Sequence, residues 1–566
     1  MSPGLCGFCL SDRPRLNAKR AKHAKIPVFL RALRPLRSLL LTCVAGALLA
    51  AQPSPSLGRI SFPNSGASVA QPAFIRGVLL LHSFEYDDAI AAFREAQRID
   101  PGFALAYWGE ALSYNQPLWY NENADKARAV LARLAPTPAA RQAKALTARE
   151  KGYLDAVEKL FATGAKSARD QAYADRMGEL SRANPQDDEA AVLYALALLG
   201  TIPSGQRNLP VSLKAGEIAA AVLKRNPQHP GAAHTVLHAY DDGEHAARAL
   251  EAARIYAKIA PASSHARHMP SHAFLPLGLW DEAAASDEAA WQTSIDLAKA
   301  KGLSPAQYDF HALGWLQYEY LQQGRFAKAE SLIALVPSAP SPPASAAHQH
   351  VESEIGRGFG AVSLRGERAS MRARLVVESG RWELMKGQPS FDNVDELFAL
   401  GLASVKLNDR GRAEAALEQL NGARKAAPDA DNKRLADIMY RQVGGLYQMM
   451  RGEKAEGLAA LESAAGLESE APRPIARPYP IKPAGELYAE TLLANGDAAG
   501  AVRAFQASLT RTPRRAQSLI GLARAAAAAR QPALATRAAR EFLEMWKQAD
   551  AARPELEQAR QILKSP

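Results

Sequence analysis

Six of the twelve histidines in this chain fall between His234 and Trp280, and their spacing raises the question of metal chemistry. His234 and His238 stand four apart, so a helix presents both imidazoles on one face with room for an ion between them. His265, His268 and His272 repeat the i,i+3 and i,i+4 pattern, although Pro270 interrupts any single straight helix through them. If the two segments are inward helices of adjacent repeats, His234, His238, His268 and His272 converge on one point. His265 and Asp241 are then further candidate ligands, with Asp242 and His245 at the intervening turn. So much imidazole suits zinc, copper, iron or nickel and suits calcium or magnesium badly. Neutral histidine also transfers protons near pH 7, which leaves hydrolytic and redox chemistry open, with no catalytic residue assigned. The competing expectation is a set of polar side chains satisfied in helix interfaces.

The elements able to position such a cluster are helices. The chain is rich in Ala and Leu and only 7% aromatic, which favours helix over strand. From Ala73 to Pro101, the residues Gly77, Ala89, Phe93, Ala96 and Pro101 occupy the offsets of a tetratricopeptide (TPR) repeat. Small residues fall where two antiparallel helices touch, and the proline closes the second helix. The predicted fold is all-α, with TPR-like helix-turn-helix repeats stacked into a right-handed superhelical solenoid whose repeats contact only their neighbours.

The expected divisions are a leader over 1–55, an amino-terminal solenoid over 70–335 with the histidine cluster, and a Pro/Ser/Ala-rich loop over 336–348. Central repeats follow over 349–470, then a Pro-rich connection over 471–483 and carboxyl-terminal repeats with a polar cap over 484–566. In the segment around Tyr107 to Tyr120, Pro117 is expected to end a helix near Gln116, leaving Glu110 and Asn115 facing the concave groove. His82 and His311 occupy comparable helices and complete a candidate concave-face site. His348 and His350 look incidental.

The formal charge of +11 suggests an anionic partner until it is located. Residues 1–50 hold nine Lys/Arg against the single acid Asp12, so the rest of the chain carries only about +3, and nucleic-acid binding loses its support. That basic tail runs into the apolar stretch Ser38 to Ala51 and then "QPSPS", the order of a secretory signal or an uncleaved anchor. Membrane contact is expected only through this segment. Cys6, Cys9 and Cys43 all lie inside the leader, so neither disulfides nor thiolate-bound metals are expected in the body.

The segment after His82, "AYWGEA" over Ala106 to Ala111, and "HMPSH" over His268 to His272 resemble a little-characterised bacterial family of long TPR proteins with a His-Met-Pro-Ser-His motif. The likeness falls on His82, Tyr107 to Glu110, Asn115, His234, His238, His268 and His272 and covers most of the chain after residue 70. Gln116 and Asp287 depart from the family's usual His and Asn, so neither is expected to be an indispensable ligand. The resemblance implies a helical-repeat fold and groups the histidines as a shared feature, without transferring an activity. The expected function is an exported TPR protein whose concave face binds a protein or peptide partner. The alternative is a transition-metal-binding protein or metal-dependent enzyme, and an intracellular scaffold is third.

Overall fold

The computed structural model describes residues 56–203, 206–337, 364–387, 393–551 and 553–564. Residues Met1–Ser54 and Pro55–Pro566 are separate units, and every described residue belongs to the second. The leader, the three cysteines, His348, His350 and all but the first two residues of the Pro/Ser/Ala-rich loop lie outside the described residues.

The described residues fold as an all-α helical-repeat protein, helix packing on the next helix from Gln71 to Lys564. The first pair shows why this sequence takes that form. Helix Tyr86–Ile99 opens with Asp87 and Asp88 and closes with Arg98, matching the helix dipole, while Ala89, Phe93 and Ala96 share its buried face. Phe93 is fully buried between Gly77 and Gly109 of the flanking helices, where a Cβ would lie 2.8 and 2.3 Å from its ring. Burying that ring contributes up to about 3 kcal/mol. Phe505 does the same against Gly521 near the other end, at 2.3 Å. Between Leu112 and Ala124 the chain departs from the expected helix, which stops at Leu112. A two-stranded antiparallel ladder, β1 (Asn115–Gln116) with β2 (Asn121–Glu122), turns around Pro117 instead.

Seven helices bear the candidate site: α1 (Gln71–His82), α2 (Asp188–Gly200), α3 (Pro230–Ala239), α4 (Ser264–His268), α5 (Ser271–Phe274), α6 (Trp280–Ala300) and α7 (Phe310–Gln322). The break between α4 and α5 falls at Met269 and Pro270, yet both keep helical backbone angles and His272 N–H donates to the Met269 carbonyl at 3.1 Å, so the two short helices follow one another closely.

One expectation is corrected. The repeats do not contact only their sequence neighbours, because the carboxyl-terminal helices pack back on α6 and α7. The Trp546 indole N–H donates to the Gln322 carbonyl at 2.9 Å, that of Trp280 to the Arg514 carbonyl at 2.9 Å, and Asp550 N–H to the Gly324 carbonyl at 3.0 Å. Arg515, 1% exposed, is held between Glu378 and Glu486, joining segments far apart in sequence. At the other end the irregular lead-in over 56–62 runs past the start of α3, with Arg59 N–H donating to the Gln228 carbonyl at 3.0 Å. Helix periodicity reports which face is buried but not which distant helix covers it, so this closure carries no sequence signature.

Candidate metal centre

Helix α3 starts at Pro230 with His229 as its cap, the ring Nδ1 accepting the Ala232 N–H at 3.2 Å. The helix then sets His234 and His238 one turn apart, with Nε2 atoms 2.9 Å from each other. Helix α4 is capped by Ser263, whose hydroxyl oxygen accepts the Ala266 N–H, and it delivers the Nε2 of His265 to within 2.9 Å of the Nε2 of His234. The outer nitrogen of His234 fixes its tautomer. Its Nδ1 lies 2.6 Å from the His82 carbonyl, which can only accept, so Nδ1 carries the hydrogen and Nε2 presents a lone pair inward. The Nε2 atoms of His238 and His265 either donate a hydrogen to that lone pair or share an ion with it. A tetrahedral ion with metal–nitrogen bonds of 2.0–2.1 Å spaces its ligands by roughly 3.3 Å, close to what is found.

A second trio stands beside the first. The Nε2 atoms of His268 and His272 are 3.2 Å apart, and the ring of His311, on α7, has its centroid 4.7 Å from that of His268. One ligand nitrogen from each of these three residues falls within 4.8 Å of the others, as is also true of His234, His238 and His265. The outer nitrogens are again anchored. Nδ1 of His268 donates to Asp287 at 2.6 Å and Nδ1 of His272 to Asp241 at 2.9 Å. A carboxylate behind a ligating imidazole orients the ring and raises its basicity, a usual arrangement at metal sites. Burial first, and then the charge of Asp287, push the Glu319 carboxyl well above its ordinary range. Trp315, one turn after His311, stacks on His272 with ring centroids 4.5 Å apart.

His82, Glu189 and His229 make a third buried group of different character. Glu189, at the start of α2, lies 2.7 Å from the Nε2 of His82 and 3.2 Å from that of His229. Burial alone would raise the Glu189 carboxyl, but the two histidines outweigh it and hold it far below the carboxylate range. The Nδ1 of His229 is committed to its helix cap and its Nε2 to Glu189, so this group acts as a clamp between α1, α2 and α3. Through the His82 carbonyl it also sets the orientation of His234.

The four histidines expected to converge on one point, His234, His238, His268 and His272, fall instead into two groups. Each pair stays together, but a neighbouring helix adds His265 to the first and His311 to the second, the rise along α4 separating His265 from His268. Asp241 stands behind His272. The trios are not on an open concave wall: His234, His265, His268 and His272 are each 5% exposed or less, and His238 and His311 are half-buried. Glu110 is elsewhere, bound to Arg94, Gln97 and Arg133 as a packing hub. Asn115 lines an apolar cavity of about 30 Å³ that His82 and Phe84 also border. His245 pairs with Asp242 at 2.9 Å at the turn. Sequence reasoning missed Glu189, His229, Trp315 and Phe84, and set Asp287 aside. Phe84 has no spacing signal, yet its backbone is left-handed (φ 58°) and its ring lies 4.2 Å from that of His234.

No family model and no curated relative matches the chain. Among solved structures, the chain is similar to that described as the APC/C hetero-tetramer Cut9-Hcn1, at 12% identity and TM-score 0.28, covering 93% of this chain and 81% of that one. It is also similar to that of Naa15/Naa10 bound to HypK-THB, at 14% identity and TM-score 0.22, covering 87% and 72%. Likeness at this level carries no functional argument, and the helical-repeat architecture rests on the packing of this chain's own helices.

Proposed function

We propose that this chain is a transition-metal-binding protein whose helical repeats hold ions at His234, His238, His265 and at His268, His272, His311. The observation that carries the reading is the pair of inward-facing trios whose outer nitrogens are anchored by the His82 carbonyl, Asp287 and Asp241. Zinc, copper, iron and nickel fit this donor set. The test is metal analysis of protein purified without an affinity tag. Stoichiometric metal, lost in His234→Ala plus His272→Ala with helicity retained, supports the reading, and metal-free protein that cannot be reconstituted overturns it.

The helical-repeat frame supports a second role, a surface for a protein or peptide partner, because stacked repeats expose long faces that the metal trios leave unused. Grouping with the bacterial TPR proteins that share the His-Met-Pro-Ser-His motif is part of the same proposal. So is export, which rests on the basic leader and apolar run over 38–51 and is tested by the mass of the mature amino terminus after cell fractionation.

A further inference from the structure

The turn that ends α1 closes in a way this fold repeats. Phe84 takes the left-handed conformation at φ 58°, and the next N–H, that of Glu85, donates back to the Leu80 carbonyl at 3.0 Å. This bond belongs to a left-handed helix cap, which satisfies a carbonyl that the helix leaves open. Elsewhere in the chain glycine holds the same place, as at Gly324, Gly452 and Gly496, where the N–H groups of Arg325, Glu453 and Asp497 reach back to Tyr320, Gln448 and Leu492. Asn408 holds it before Asp409, which reaches back to Ser404. Glycine and asparagine adopt this conformation at little cost, and a residue with a larger side chain does not. Arg530 is also left-handed at such a turn, but it is exposed, whereas Phe84 is buried at 3% exposure.

The ring that this conformation places lies on the first trio. Its centroid is 4.2 Å from that of His234, and it stacks on His238 and His265 with centroids 5.6 Å away in each case. His234 and His238 come from α3 and His265 from α4, so one ring meets ligands from both helices. The rest of the turn reaches the same helices. The His82 carbonyl accepts the Nδ1–H of His234 at 2.6 Å. Glu85 accepts the Ser263 hydroxyl at 2.8 Å, and the oxygen of that hydroxyl caps α4 two residues before His265. A strained backbone kept for a particular side chain, where the same turn elsewhere uses glycine, points to a use for that side chain.

Resting on the metal-binding reading, we propose that Phe84 is a positioning residue of the first trio, its ring holding the imidazoles of His234, His238 and His265 at ligand spacing. The Nε2 atoms of His238 and His265 each stand 2.9 Å from that of His234. A flat, rigid ring keeps the angles of the imidazoles packed on it, and an aliphatic side chain of similar size offers no such face. Rings ordered before the ion arrives lose less side-chain freedom when it binds, which raises affinity. The second trio has its own aromatic neighbour in Trp315, stacked on His272, and so serves as the control within the same molecule.

The experiment titrates metal-free full-length protein with zinc against a chelator in two backgrounds. His311→Ala leaves the first trio complete, and His238→Ala leaves the second. Phe84→Leu and Phe84→Met keep an apolar side chain of similar volume, a class of change that cores tolerate. In the His311→Ala background each is expected to lower zinc affinity about 10-fold or more. In the His238→Ala background affinity is expected to stay unchanged, with helicity retained throughout. Equal losses in both backgrounds, or loss of helicity in both variants, assign the ring to the fold alone and overturn the proposal. Undiminished affinity in the His311→Ala background overturns it while leaving the metal-binding reading standing. Parent protein that takes up no zinc, copper, iron or nickel overturns both.

Discussion

Asp287 is the residue by which the second trio can be tested one atom at a time. Its carboxylate receives the Nδ1–H of His268 at 2.6 Å in a fully buried position, so Asp287→Asn keeps an acceptor and removes the charge. Metal affinity, measured by competition with a chelator, is expected to fall about 10–100-fold, and an unchanged affinity would show that the carboxylate is merely structural. Glu85 offers a test at the neighbouring turn. The hydroxyl of Ser263, the cap of α4, donates to Glu85 at 2.8 Å, and burial pushes the carboxyl from 4.5 up to about 7 against that bond. Between those values the folded chain binds the proton more tightly than the unfolded chain. The stability this group supplies is therefore complete below pH 4.5 and is lost as pH rises through 7. The loss is at most about 3 kcal/mol, less for any remaining solvent access. In urea unfolding of metal-free protein, Glu85→Gln should match the parent at low pH and exceed it at pH 8, and parallel curves at all pH values count against the idea. The histidine pairs were legible at this scale because i,i+4 spacing is a sequence property. Of their carboxylate partners, Asp241 was read as a candidate ligand and not as the support of His272, and Asp287 was set aside, because tertiary contact decides both roles.

At the scale of elements, the site depends on how closely α1 lies on α3. Gly231 sits in the first turn of α3, and a Cβ there would fall 2.2 Å from the Nδ1 of His82. The imidazole cannot yield, since its other nitrogen is bound to Glu189 and its backbone carbonyl holds His234. Gly231→Ala is expected to cost about 1–3 kcal/mol of stability by overpacking and to weaken the first trio while sparing Asp241 and Asp287. Calorimetry with metal titration would check this, and a variant as stable and as tightly metallated as the parent would refute it. Helix type and the small-residue offsets were legible in the sequence, as Phe93 between Gly77 and Gly109 shows. The exact break at Pro270 was foreseen, but its outcome was not. The proline was expected to interrupt a straight helix through His265 and His272; α4 does end before it, yet His272 stays beside His268.

For the whole molecule, the sequence shows repeats but not that they close on themselves. Helix α7 is the reason closure matters to the site. One turn of it presents His311 and Trp315 to the second trio, and the next presents Tyr318 to Arg515 and the Gln322 carbonyl to Trp546. Arg515 is in turn held by Glu378 and Glu486, and Lys482 adds a second cation on Glu486, so four charges are buried together. Burial raises the Glu486 carboxyl, but Arg515 and Lys482 outweigh it and hold it below its usual range. Its contribution is therefore present above the ordinary carboxylate value and lost as the pH falls through the depressed one. Arg515→Met strips the shared cation from two buried carboxylates, with an expected cost of about 3–5 kcal/mol. In a solenoid of independent repeats that loss would stay in the carboxyl-terminal helices and leave metal uptake untouched. Here α7 spans both, so the variant should unfold at lower urea in one transition, and saturating metal should raise the midpoint of that same transition. Two transitions, with metal moving only the one that excludes residues 484–564, would restore the independent-repeat picture.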